Sequence, residues 1–102
     1  MSEMLTQQEA ETIILNHYGQ AKQEIQAVQE LSELTLLLTR REDQRGNDYK
    51  KRLTEEMADV IVMIEQMKLA NGITDDDITA VIVYKLRRTL ERIDKEKKHG
   101  KG

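Results

Sequence analysis

Apolar residues recur along this chain at helical spacing, in four stretches separated by polar or glycine-containing breaks. Thr6-Gln7-Gln8-Glu9 has the form of a capping box, in which the threonine oxygen and the glutamate carboxylate satisfy each other's early amides. A short first helix therefore starts there, carries Ile13 and Ile14 inward and runs to His17-Tyr18-Gly19, where glycine permits a break. The second stretch, Gln20 to about Arg40, sets Ala21, Ile25, Val28, Leu31, Leu36 and Leu38 on a broad apolar side. Lys22, Gln26, Gln29, Glu30, Glu33 and Arg40 form the opposing stripe.

Residues 42–48 contain no apolar side chain and read as a solvated loop. A third helix follows from Tyr49 or Leu53 to Ala70, with Asn71-Gly72 as a left-handed stop. Thr74-Asp75-Asp76-Asp77 then caps a last helix from about Asp75 to Glu96, expected to bury Ile78, Ile82, Leu86, Leu90 and Ile93. Val81, Lys85, Arg88 and Arg92 run along the flank of that face. The pattern predicts an all-α antiparallel helical bundle: a short N-terminal helix plus three longer ones, completed to a four-helix-type bundle by dimerisation. Residues 1–95 form a single domain, and the basic run at 96–102 is too polar to pack and reads as a frayed tail.

Composition reinforces this picture. The 102 residues include no Pro, Cys, Phe or Trp, and 34% are charged, which disfavours strands. A net charge of -3 supplies no basic field for a nucleic acid polymer, and no apolar run approaches a membrane span. The absence of a signal peptide and of cysteine fits a cytoplasmic protein.

The third helix holds the unusual feature. At about 100° per residue, Thr54, Glu65 and Lys68 gather on the side expected to face water, while Glu56 and Asp59 project from the opposite side beside Val60, Met63 and Met67. Ionised carboxylates withdrawn from water cost several kcal/mol each unless a cation or donors offset the loss. Glu-x-x-Asp puts both acids a turn apart on one face, close enough to share a hard divalent ion. Salt bridging to Lys or Arg at a packing edge is the structural alternative. Glu30 and Glu33 make a second i, i+3 pair, on a stripe that is polar throughout and reads as solvent-facing by itself. Two long helices joined by a short loop pack antiparallel, so each brings one acid pair to the other.

Glu30-x-x-Glu33, a loop, and Glu56-x-x-Asp59 together resemble the ExxE…ExxD signature of the MazG-like all-α nucleoside triphosphate pyrophosphohydrolases, small phage and bacterial type. His17-Tyr18-Gly19 with Gln23 is similar to the YG…Q preceding the first motif. Residues 29–34 resemble EELxEL, and residues 55–60 resemble EExxDV. Lys85-Leu86-Arg87-Arg88 with Arg92-Ile93 is similar to the terminal K…R…R helix, so the resemblance covers nearly the whole chain. Gln29 departs from the pattern, standing where the family commonly has a first glutamate.

The resemblance implies hydrolysis of an NTP or dNTP between the α and β phosphates, with Mg²⁺ (or Mn²⁺ as substitute), in a homodimer or homotetramer. It makes Glu30, Glu33, Glu56 and Asp59 both the metal ligands and the catalytic acids. Lys85, Arg88 and Arg92 become the cationic complement of the triphosphate, their alternative being surface pairing with Glu91 or Asp94. Tyr18 and amides such as Gln23, Gln26 and Asn71 are the candidates to meet the nucleoside, since no Trp or Phe offers a stacking platform. A reading from a different class remains open: a non-catalytic all-α oligomerisation or regulatory module with structural acids.

Overall fold

The computed structural model describes residues 4–100, and they are all-α. Four helices follow in order: α1 (Gln7–Tyr18), α2 (Gln20–Leu38), α3 (Tyr49–Asn71) and α4 (Asp75–His99). Both capping boxes form. Thr6 Oγ1 accepts from the Glu9 amide at 3.1 Å while the Thr6 amide donates to Glu9 Oε1 at 2.8 Å. Thr74 and Asp77 repeat the arrangement at 3.1 and 2.9 Å. The breaks are glycines as well: Gly19, at φ 88°, separates α1 from α2, and Gly72, at φ 65°, ends α3 in the left-handed conformation. The intervening loop tightens into one 3₁₀ turn, Glu42–Gln44, closed by the Arg41 amide donating to Gln44 Oε1 at 3.3 Å.

The chain divides into two compact units, one ending at Gly72 and one beginning at Ile73. In the first, α2 and α3 lie antiparallel. Gln20 at the start of α2 meets Asn71 at the end of α3, and Leu37 and Arg40 share a cleft with Arg52 and Glu56 at the other end.

The packing faces of α1 and α2 differ from those the apolar pattern suggests. On α1, Glu11 is the buried residue, while Ile13 and Ile14 are exposed. On α2, the buried residues are Gln23, Ala27 and Leu37, with Gln26, Glu30 and Leu34 half-buried between them. Ile25, Val28 and Leu36 lie 62–69% exposed, and Leu31 and Leu38 are exposed too. The helix thus packs through a mixed face of Gln23, Gln26, Ala27, Glu30, Leu34 and Leu37 and leaves Ile25, Val28 and Leu36 exposed.

The partner surface explains this choice. Val60, Met63 and Gln66 are the buried residues of α3. Gln66, 1% exposed, donates from Nε2 to the Glu11 carbonyl at 2.8 Å and meets the Gln23 amide through its Oε1 at 3.5 Å. Gln7 Nε2 donates to Glu11 Oε2 at 3.1 Å. A buried amide left without partners is expensive, so Gln66 aligns the three helices on their polar positions. The side of α3 assigned to water also needs correction: Lys68 and Glu65 are half-buried and paired, with Lys68 Nζ 3.1 Å from both Glu65 oxygens.

The second unit is α4, of which no described residue is buried; Ile78, Ile82, Leu86, Leu90 and Ile93, expected in a core, are exposed. The helix continues to His99, past the point where a frayed tail was expected. Lysines in its last turns favour the negative end of the helix dipole, and Lys98 pairs with Asp94 one turn back at 3.2 Å. Lys101 and Gly102 lie outside the described residues. No helix among the described residues is long and apolar enough to cross a membrane.

The Thr74 backbone amide, and then its hydroxyl, hold the Asp77 carboxyl below its ordinary value. A group with a depressed folded pKa contributes stability that is complete above the unfolded value and disappears as pH falls through the folded one. Acidification into that window is therefore expected to reduce helicity, and Asp77→Asn to flatten the response. Circular dichroism at 222 nm across an acid titration checks this; an identical acid limb in both proteins contradicts it.

Candidate metal centre

The α2–α3 seam determines where the acids lie. Glu30 sits one turn beyond Gln26 on the half-buried stripe of α2, and Glu33 one turn further on; Glu56 is half-buried on the facing helix. One carboxylate oxygen from each of Glu30, Glu33 and Glu56 comes within 4.8 Å of the other two. Gln26 Nε2 donates to Glu30 Oε2 at 2.7 Å and orients that carboxylate. The other Glu30 oxygen, Oε1, and Glu56 Oε2 are buried and have no hydrogen-bond partner.

Such an arrangement is electrostatically unfinished. Three carboxylates within a few ångströms repel one another, and buried acceptor oxygens without donors forgo the compensation that normally accompanies burial. A hard divalent cation relieves both problems, because Mg²⁺ and Mn²⁺ prefer oxygen ligands and a bridging ion needs acceptors free of other bonds. The orphaned oxygens of Glu30 and Glu56 are acceptors of that kind, so the residues present fit the ion that the sequence pattern implies.

The remaining predicted residues separate into those the structure gathers and those it does not. Asp59 is exposed and does not join the group of three. Its side chain is one methylene shorter than that of Glu56, and it lies a turn further along α3. Gln23 is buried, and its side-chain amide meets Gln66 Oε1 at 3.5 Å. Gln26 is engaged with Glu30, and Asn71 Nδ2 donates to the Met67 carbonyl at 2.8 Å. Tyr18 is exposed, with the His17 ring edge-on at 4.6 Å and Lys22 Nζ 5.2 Å from its centroid. Lys85, Arg88 and Arg92 lie exposed on α4 in the second unit, where Arg88 stacks over the Tyr84 ring at 5.5 Å.

Two residues that sequence reasoning left out of the site, Arg40 and Arg52, line a cleft of about 430 Å³ together with Glu33, Glu56, Leu36 and Leu37. The signal was present in the spacing. Arg40 falls on the same stripe as Glu30 and Glu33, and Arg52 stands one turn before Glu56. No family model, no curated protein and no solved structure matches the chain.

Removing one charge from the triad tests whether it is crowded. In buffer with a chelator, Glu56→Gln is expected to raise the melting temperature by about 5 °C, the shift that roughly 1 kcal/mol produces in a domain of this size, and to diminish the further rise that Mg²⁺ gives the parent. Thermal melts with and without Mg²⁺ make the comparison. A lower melting temperature in chelator would show that Glu56 already has a stabilising partner.

Proposed function

We propose that the chain is a Mg²⁺-dependent nucleotide pyrophosphohydrolase that cleaves an NTP or dNTP between the α and β phosphates and acts as a homo-oligomer. The observation that carries this reading is the convergence of Glu30, Glu33 and Glu56 within 4.8 Å, with buried oxygens on two of them left free for a cation. The resemblance of the acid motifs to the MazG-like enzymes supplies the reaction class. The meeting of Glu30 and Glu33 of the first motif with Glu56 of the second supports that reading.

Glu30, Glu33 and Glu56 would hold the ion, with Asp59, three residues on from Glu56 in the same motif, as a further acid. Bound there, Mg²⁺ would neutralise phosphate oxygens and acidify water, which is most of what phosphoryl chemistry asks of a protein. The protein's own part is orientation and proton transfer. Gln26 orients the Glu30 carboxylate, and Glu33, exposed and lining the cleft, would accept a proton from the attacking water. Water oxygen bonds to the α phosphorus, the bond from that phosphorus to the bridging oxygen breaks, and pyrophosphate leaves with the bonding pair. Tyr18 and the α4 cations Lys85, Arg88 and Arg92 remain candidates for the nucleoside and the phosphate tail.

Oligomerisation would give a covering to the exposed aliphatic residues of α2 and, taken by itself, to the apolar stripe of α4. Those faces equally suit a module that only assembles, but such a module gives no reason for crowded carboxylates with orphaned oxygens.

A panel of NTPs and dNTPs incubated with Mg²⁺ tests the reading. Pyrophosphate and the monophosphate are the expected products, and Glu33→Gln and Glu56→Gln should each lower kcat by about 10² or more, as expected when a proton acceptor or metal ligand is removed. Orthophosphate release, or no Mg²⁺-dependent turnover of any member, overturns it.

A further inference from the structure

The cleft beside the acid triad has a second chemical character, supplied by two arginines. Arg40 follows the last turn of α2. Its amide donates to the Leu37 carbonyl at 3.3 Å, and its own carbonyl accepts from Arg45 Nε at 3.1 Å, so the backbone that presents its side chain is held on both sides. Arg52 belongs to the first turn of α3, where its amide donates to the Asp48 carbonyl at 3.0 Å. Their side chains line one cleft with Glu33 and Glu56. Among the described residues neither guanidinium lies within ion-pair distance of a carboxylate.

Two guanidiniums and two glutamates line one open cleft without pairing to one another, Arg40 and Glu56 half-buried and Arg52 and Glu33 exposed. The arrangement is complete when a cation sits between the carboxylates and an anion carried by that cation reaches the guanidiniums. Arginine suits the anionic part, because its planar fork matches phosphate oxygens in pairs.

Resting on the proposed reading of the acid triad, we infer that Arg40, with Arg52 facing it, is the polyphosphate-binding element of this site, taking the β and γ phosphates of a metal-complexed nucleotide at the loop end of the α2–α3 seam. Cationic contacts from α4 are then not required for the phosphate tail to bind. The pyrophosphate product should itself bind in the same cleft.

Calorimetric titration with inorganic pyrophosphate in saturating Mg²⁺ tests this on the full chain. Arg40→Gln is expected to weaken pyrophosphate binding about tenfold or more, the loss typical of one charge-assisted contact. It should raise KM for triphosphate more than it lowers kcat, while Mg²⁺ affinity without pyrophosphate stays equal or rises. Arg40→Lys, which keeps the charge and loses the fork, falls between. Arg52→Gln behaves like Arg40→Gln, and matching melting curves confirm that each variant is folded. Pyrophosphate affinity and KM unchanged in both Gln variants overturn the inference, while hydrolysis by the parent leaves the proposed function standing. A parent that hydrolyses nothing but loses pyrophosphate on Arg40→Gln reverses that outcome: the anion site holds and the hydrolase reading falls. A parent that binds neither Mg²⁺ nor pyrophosphate overturns both.

Discussion

The seam between α2 and α3 is built from glutamine, alanine, glutamate and methionine where aliphatic side chains were available, and the rest of the structure follows from that choice. Gln66 is the reason it holds. Its amide, almost wholly removed from water, finds partners only if α1 offers the Glu11 carbonyl and α2 offers Gln23. Satisfying it fixes the rotation of α2, and that rotation carries Glu30 toward α3. An unsatisfied buried amide costs about 1–3 kcal/mol, enough to decide between two helix rotations of otherwise similar packing energy.

The same rotation has two consequences that work together. Inside, Glu30 and Glu33 meet Glu56, and two of their oxygens become buried acceptors with no donor. Outside, the aliphatic side of α2 is left in water, and full burial of each such side chain would be worth roughly 1.5–3 kcal/mol. Only Ala27, Leu37, Val60 and Met63 form the buried apolar core of the described residues, a small set for a stable domain. A chain arranged in this way has unspent stabilisation in two places: a cation among the acids, and a covering for its apolar faces. The proposed metal site and the proposed assembly address these two places in turn.

Much of this was legible in the sequence, and the failures share one cause. Helix limits and caps were readable because local chemistry decides them: Thr6 with Glu9, Thr74 with Asp77, and the glycines at 19 and 72 act within a few residues of themselves. Which side of each helix packs was not readable in the same way. Counting apolar residues put Ile13, Ile14 and Ile25 inside, where the structure exposes them; the Glu30 stripe, solvent-facing by the wheel alone and brought to the seam only by antiparallel pairing with α3, is half-buried at Gln26, Glu30 and Arg40 and exposed at Lys22, Gln29 and Glu33. The hint was Gln66 itself, about 60° from Met63 on the helical wheel and thus on the inward side of α3. A lone glutamine there gives no sign of its partners until three helices are brought together. Glu56 was readable as inward because its neighbours Val60 and Met63 are apolar. Asp59, assigned by the same logic, is exposed although its direction lies between those of the buried Met63 and Gln66, so direction on the wheel does not by itself decide burial. Residues of α4 were placed in a core by periodicity alone, which reports that a face is apolar and not what lies against it.

The central claim is that Glu30, Glu33 and Glu56 form one site selective for a hard divalent ion. Paramagnetic broadening by substoichiometric Mn²⁺ in amide NMR spectra addresses it most directly. Selective loss of signals around residues 30–33 and 56–59, reversed by excess Mg²⁺, is the expected result. Broadening spread evenly over the other acidic stretches, including residues 42–43 and 75–77, would contradict the account.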